Sequence, residues 1–222
     1  MAIATTYLPS PDNFADVLER LGGIPLNRIR FQPPPGTARE KDVLAALEAP
    51  RKRICELVDG VLVEKPMGAR EALLAGVIIE YLGAFVRKHG LGCVLAPDGI
   101  LRLMPGLVRI PDVSFISWDS IGADEFPQEP IPALAPDLAV EVLSRGNTPK
   151  EMERKLREYF DVGVQTVWLI QPKTQTAQIY TSPTNCRQVP KNEVLEAGNL
   201  LPGFRLPLKK LFESTKRRRS GR

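Results

Sequence analysis

Two acidic residues lie inside apolar stretches of the chain. Asp112 lies in the β-rich run 108–116, and Glu141 lies in the even more apolar run 137–143. An ionised carboxylate in a buried strand costs several kcal/mol unless a cation or hydrogen bonds compensate it, and two carboxylates on neighbouring strands also repel each other. A divalent metal ion removes both penalties, because hard ions such as Mg²⁺ prefer carboxylate oxygens. The two acids therefore predict a shared metal site.

A basic helix is predicted directly after Glu141, over residues 149–161. At about 100° per residue its apolar side chains form one arc, made of Met152, Leu156, Tyr159 and Phe160. Lys155 lies about 60° around the helix from Met152, at the margin of the apolar arc. A lysine in such a position can bury its stem and present its ammonium group to a nearby site. Arg154 and Arg157 are expected to point into solvent.

The numbers of histidine and cysteine residues argue against several kinds of site. The chain has a single histidine, His89, which rules out zinc proteases built on two histidines and nucleases that use a histidine pair. Its three cysteines are odd in number and include no Cys-x-x-Cys pair, which argues against a disulfide framework or a zinc ribbon. Any catalysis is therefore expected to use carboxylates, lysine, hydroxyls or a hard metal ion.

Composition and charge are those of a soluble globular protein. The 222 residues are 43% hydrophobic and 25% charged, and neither a membrane span nor a secretion signal is visible, so we expect a cytoplasmic protein. The formal charge of +4 comes from five basic residues at the end of the chain, without which it is −1. The pI of about 9.0 thus reflects a basic tail and not a basic surface.

The patterning predicts an α/β protein with a central mixed β-sheet flanked by helices. Residues 1–50 are predicted to form an N-terminal helical extension and linker, with a first helix capped at Ser10. Residues 51–213 form the predicted main domain, and residues 214–222 the basic tail. The main domain opens with a hairpin over 56–63 that turns at Asp-Gly, followed by a long helix over 69–88.

These motifs, in this order, resemble the Uma2 (Uma-two) family. The resemblance rests on the hairpin that begins Cys-Glu-Leu-Val-Asp-Gly, on Ile-Pro-Asp-Val around Asp112, on the run that contains Glu141, and on the helix with Lys155 and the strand after it. It covers roughly residues 53–181. The family is assigned to the restriction-endonuclease-like, PD-(D/E)xK superfamily, which implies that fold and a metal-dependent endonuclease acting on nucleic acid, with DNA the expected substrate.

The resemblance also implies roles for individual residues. Asp112 and Glu141 would hold Mg²⁺ or Mn²⁺, with the Val142 carbonyl as a backbone ligand. The superfamily pattern has a lysine two residues after the acid, where this chain has a leucine; in the Uma2 family that function moves to the following helix, which here implies Lys155. Glu56 corresponds to the family's hairpin glutamate and would assist the metal or the lysine.

Other interpretations of the same residues stay open. Each acid could instead form an ion pair, with Arg109 or Arg145 as partner for the two strand acids and Arg51 or Arg53 for Glu56. A catalytically inactive nuclease fold that binds nucleic acid or serves in assembly fits the leucine at the usual lysine position. A carboxylate-pair glycosidase is a further alternative, although aromatic residues make up only 6% of the chain. A homodimer is compatible with double-strand cleavage, which needs two sites.

Overall fold

The computed structural model describes residues 13–66 and 68–216. The helices are α1 (Phe14–Arg20), α2 (Glu40–Glu48), α3 (Ala69–His89), α4 (Trp118–Ile121), α5 (Pro149–Asp161) and α6 (Leu208–Glu213). The strands are β1 (Cys55–Val58), β2 (Val61–Glu64), β3 (Gly92–Leu95), β4 (Leu101–Met104), β5 (Leu107–Arg109), β6 (Val113–Ser117), β7 (Leu138–Val142), β8 (Thr166–Gln171), β9 (Thr176–Tyr180), β10 (Cys186–Val189), β11 (Val194–Leu195) and β12 (Leu206–Pro207). Across these residues, no helix combines the length and the apolar character needed to cross a membrane.

The larger sheet has six strands in the order β10-β9-β8-β7-β6-β3. Strands β7 and β8 are parallel and are joined by α5, whereas the other neighbouring strands are antiparallel. Parallel neighbours require a crossover connection, which a helix provides. Helix α3 packs on one face of the sheet and α5 on the other. The predicted mixed sheet flanked by helices is confirmed.

Strand alternation in β7 decides which face receives Glu141. Val140 and Val142 belong to the core beneath α3, whereas Ala139 belongs to the core beneath α5. Because successive side chains of a strand point to opposite faces, Glu141 lies on the α5 face with Ala139. The acid therefore faces the helix that carries Lys155.

A second, four-stranded antiparallel sheet has the order β2-β1-β5-β4. The predicted hairpin forms its β1 and β2. The turn residues Asp59 and Gly60 have φ of 50° and 69°, the positive values that a type I′ turn requires and that Asp-Gly favours. The Asp-Gly turn predicted from the sequence is confirmed.

The β-rich run around Asp112 is divided between the two sheets. Strand β5 belongs to the smaller sheet and β6 to the larger one, and the residues between them include Pro111, which has no N–H for a ladder bond. Asp112 follows this proline, and its backbone N–H donates to the Val140 carbonyl at 2.9 Å. Asp112 thus lies where the chain passes from one sheet to the other, rather than within a continuous strand.

The N-terminal segment covers the smaller sheet. Helix α1 is capped by Asn13, whose side chain accepts from the backbone of Ala15 and Asp16; the cap predicted at Ser10 lies outside the described residues. Four apolar side chains of this segment pack against β1, β2 and β5, namely Val17, Leu21, Ile24 and Ile29.

The same segment holds the first half of α5. The Thr148 hydroxyl, which caps α5, donates to the Gly22 carbonyl at 2.6 Å. Arg28 forms a buried bidentate pair with Glu151, with N–O distances of 2.7 and 3.0 Å. Arg154 donates to the Arg20 carbonyl at 2.6 Å. Three residues of α5 and its cap are therefore fixed by residues 20–28.

Substitution of Gly22 tests this contact. Gly22 has a φ of +81°, and a Cβ there would lie 2.5 Å from the Glu151 backbone nitrogen. We expect Gly22→Ala to lower the free energy of unfolding by about 3 kcal/mol, because it adds a backbone clash to a left-handed conformation. Gly23→Ala is the matched control: its φ is +66° with no atom within 4 Å of the Cβ, so it should cost only about 1 kcal/mol. Urea denaturation measures both, and equal losses would show that the contact with α5 is not tight.

Candidate active site

Asp112 and Glu141 come together at the end of β7. Asp112 Oδ2 accepts a hydrogen bond from the Val142 N–H at 2.6 Å, which places its carboxylate against the residue next to Glu141. Burial raises the pKa of Glu141 above its ordinary value; the charge of Lys155 opposes this, and the charges of Asp112 and Glu56 add to it. Glu141 is therefore an acid whose ionised form depends on nearby positive charge.

Lys155 supplies part of that charge. Its Nζ lies 3.0 Å from Glu141 Oε1 and 3.0 Å from Glu56 Oε1, and its side chain is only 2% exposed. Burial alone would lower the pKa of Lys155, but the negative charges of Glu141 and Glu56 raise it above its ordinary value. The position predicted at the margin of the apolar arc is thus fully buried, because α5 lies flat on the sheet face that carries Glu141.

Tyr159 joins the same cluster, a role that its place in the apolar arc did not indicate. Its hydroxyl donates to Glu141 Oε1 at 2.6 Å, and burial together with Glu141 raises its pKa well above the ordinary value. Tyr159 follows Lys155 by four residues and so lies on the same helix face. That spacing was the signal that could have identified it.

Glu56 completes the buried part of the cluster from the smaller sheet. It is fully buried, accepts from Lys155, and accepts from Arg109 at 2.7 Å and from the Ile110 N–H at 3.2 Å. Burial raises the pKa of Glu56, but the charges of Lys155 and Arg109 outweigh it and lower the pKa to about 2. The alternative pairing with Arg51 or Arg53 is wrong, because Glu56 pairs with Lys155 and Arg109, and Arg53 pairs with Glu64 at 2.8 Å.

The arginines near the site have partners of their own. Arg109 pairs with Glu56 and Glu158 and not with Asp112. Arg154, expected in solvent, is only 18% exposed and pairs with Asp59 at 2.9 Å and with Glu158 at 2.6 Å. That expectation is wrong because helical periodicity does not show that the β1–β2 turn packs against this face of α5.

Lys65 is the partner of Asp112, and sequence reasoning missed it. Its Nζ lies 2.8 Å from Asp112 Oδ1, and its side chain is 3% exposed. It also donates to the Pro97 carbonyl at 3.3 Å. Lys65 follows β2 directly, and nothing in the sequence indicates that the end of this hairpin reaches the loop before β6.

The donor set fits a hard divalent ion. Mg²⁺ usually takes one or two carboxylates and keeps several waters, and Asp112 and Glu141 provide two carboxylates beside the Val142 backbone. Among residues 13–66 and 68–216, no group of three or more acidic, histidine or cysteine side chains forms a metal cage. The two carboxylates are instead balanced by the ammonium groups of Lys65 and Lys155.

The low pKa of Glu56 predicts a pH-dependent contribution to stability. The unfolded chain takes up this proton near the ordinary value of 4.5, whereas the folded protein does so only near 2. Stability from Glu56 is therefore present above about pH 5 and is lost as the pH falls towards 2, in total about 3 kcal/mol.

Glu56→Gln removes this titration. We expect the variant to be less stable than the wild type at pH 7, and the difference between their free energies of unfolding to shrink as the pH is lowered towards 2. Urea denaturation at a series of pH values measures it, with Glu153→Gln, an exposed position of α5, as the control that keeps near-wild-type stability at pH 7. A difference that stays constant with pH would contradict the assignment.

The chain is similar in structure to a crystal structure from Anabaena variabilis described as "a putative nuclease belonging to DUF820". The TM-score is 0.64 at 19% sequence identity, over 73% of this chain and 91% of that chain, which shows a shared fold. The predicted α/β fold with a central mixed sheet is confirmed by this match. No curated protein matches the sequence. The family model described as "Uma2: Putative restriction endonuclease" matches residues 42–209, and the chain therefore belongs to the Uma2 family, as its motifs predicted.

Proposed function

We propose that this protein is a metal-dependent endonuclease that hydrolyses phosphodiester bonds of nucleic acid, with DNA as its substrate. Family membership supports a nuclease-like function. The observation that carries the proposal is the position of Lys155, whose ammonium group lies 3.0 Å from Glu141 although it comes from the next helix and not from the strand. In this proposal Lys155 takes the part of the lysine in the superfamily pattern from another element, since Leu143 occupies the usual position.

Asp112, Glu141 and the Val142 carbonyl would hold Mg²⁺ or Mn²⁺. A bound divalent ion would neutralise negative charge on the scissile phosphate and would lower the pKa of a water molecule bound to it. The charge of Asp112 and Glu141 is what recruits the cation, so neither residue can be replaced by a neutral isostere without loss of binding.

Lys155 acts as a hydrogen-bond donor and a fixed positive charge. Its raised pKa keeps it protonated at neutral pH, so in this proposal it orients the attacking water or stabilises the additional charge of the transition state, and it does not serve as a general base. Glu56 and Tyr159 position it: Glu56 shares the Lys155 ammonium, and Tyr159 holds the same Glu141 oxygen.

The acids are tested directly by cleavage of DNA. Asp112→Asn and Glu141→Gln should each reduce Mn²⁺-dependent nicking of supercoiled plasmid by about a hundredfold or more, because each removes a charge that holds the ion. Glu153→Gln, on the exposed face of α5, should nick like the wild type. Circular dichroism confirms that the variants are folded. Equal nicking by all four proteins would contradict the proposal.

An inactive nuclease fold remains the second candidate, and one observation favours it. Each proposed metal-binding acid already has a buried ammonium group beside it, Lys65 for Asp112 and Lys155 for Glu141, so both acids have a cationic partner without an ion. The glycosidase alternative is not favoured, because its mechanism gives no role to a lysine buried between two carboxylates. Metal binding separates an active nuclease from an inactive one.

Lys65 provides that test without relying on activity. Its ammonium group occupies one oxygen of Asp112 at 2.8 Å and so competes with any other cation there. We expect Lys65→Gln to bind Mn²⁺ about tenfold more tightly, which corresponds to about 1.4 kcal/mol. Isothermal titration calorimetry measures it, with Arg157→Gln on the exposed face of α5 as the control that leaves the affinity unchanged. Weaker binding by Lys65→Gln would show that Lys65 does not compete for Asp112.

The homodimer and the cytoplasmic location stay predictions. A pair of sites would let one assembly cut both strands of a duplex, but the structure describes a single chain.

A further inference from the structure

A groove with basic side chains runs beside Asp112. Its larger part has a volume of about 870 Å³ and is lined by residues 25–30, by the end of β2 with the start of α3, and by residues 144–146. A second part of about 650 Å³ shares Glu71, Ser144 and Arg145 with the first. These two cavities together are the basic groove.

Positive charge dominates the groove although the chain without its tail has a formal charge of −1. Besides Lys65, which is paired with Asp112, the basic side chains that line it include Arg30, Arg53, Arg70, Arg145 and Lys173. Glu64 is bound by two of them at once, Arg30 at 3.0 Å and Arg53 at 2.8 Å, so one carboxylate opposes two guanidinium groups. Arg145 is exposed and forms no ion pair with any described residue. The groove therefore carries more guanidinium groups than its carboxylates neutralise.

The groove reaches the proposed metal-binding residues. Lys65 lines it and lies 2.8 Å from Asp112. Ser144 lines both of its parts and follows the Val142 backbone by two residues. A chain of phosphates lying in the groove would therefore pass close to Asp112.

One wall of the groove lies outside the family match. Residues 25–30 precede the matched range 42–209. Arg28 connects this wall to the rest of the groove. Besides its pair with Glu151, its guanidinium group donates to the Glu64 carbonyl at 2.8 Å and to the Gly146 carbonyl at 2.8 Å. A single buried guanidinium group thus joins the N-terminal segment to the other two walls. The N-terminal segment is therefore held in place as one wall of the groove.

We propose that the basic groove binds the phosphodiester backbone of the DNA substrate next to the scissile bond, with Arg145 at its centre and Arg30 of the N-terminal segment on one side. This rests on the proposed function for its substrate class. Guanidinium groups suit this ligand because their planar donors match phosphate oxygens. The contact between the groove residue Lys65 and Asp112 favours DNA over an acidic protein.

Binding is measured on the full chain in EDTA, where no cleavage takes place, by fluorescence anisotropy of a labelled 20-base-pair duplex. Arg145→Gln and Arg30→Gln should each raise Kd about five- to tenfold at about 0.1 M salt and should each reduce the slope of log K against log salt by about 1. Arg157→Gln is the matched control, an exposed arginine on α5 outside the groove, and it should change neither quantity. Every protein keeps the basic tail, so the tail's contribution cancels.

Glu64→Gln should change the Kd for DNA in the opposite direction. Removing the carboxylate that binds Arg30 and Arg53 leaves both guanidinium groups free for phosphate, so we expect Kd to fall severalfold. A purely structural role of this ion pair predicts weaker binding instead.

Three results would contradict the proposal that the basic groove binds DNA. They are equal affinity of Arg145→Gln and Arg157→Gln for the duplex, weaker duplex binding by Glu64→Gln, or competition by poly-aspartate as strong as by unlabelled duplex. The proposed nuclease would survive any of these results if the wild type still cleaves and Asp112→Asn does not. Conversely, a wild-type protein that binds DNA through the groove but never cleaves it would contradict the proposed nuclease activity and would support DNA binding by the groove.

Discussion

The ammonium group of Lys155, buried between Glu56 and Glu141, is the interaction on which the rest of the site depends. It links a strand of the smaller sheet, a strand of the larger sheet and the helix that connects β7 to β8. Removal of one partner from such a buried pair costs about 3–5 kcal/mol, because the remaining charge is left without compensation. The three groups therefore hold one another in place.

The charges in this cluster are not equivalent. Glu56 has its pKa lowered to about 2 and stays ionised, and Lys155 keeps its proton, whereas burial raises the pKa of Glu141. Glu141 is thus the acid of the cluster that gains most from added positive charge. It is also one of the two acids that the resemblance to the Uma2 family assigns to a metal ion.

Much of the fold could be predicted from the sequence, because its signals are local. The Asp-Gly turn, the start of α5 at Pro149 and the apolar periodicity of that helix each depend on neighbouring residues only. The partners of the charged residues could not be predicted in this way. Lys65 reaches Asp112 and Arg154 reaches Asp59 across the fold, and no spacing along the chain encodes such contacts. The roles of Asp112, Glu141, Val142, Lys155 and Glu56 stay predictions.

The passage of the chain from β5 to β6 has a consequence for how this protein can change. Glu56 belongs to one sheet and Glu141 to the other, and the strands that support them are joined through the short link around Pro111. Neither sheet contains both Glu56 and Glu141, so their buried cluster with Lys155 forms only where the two sheets pack together. A longer link at Pro111 would therefore separate the two glutamates without removing any strand from either sheet.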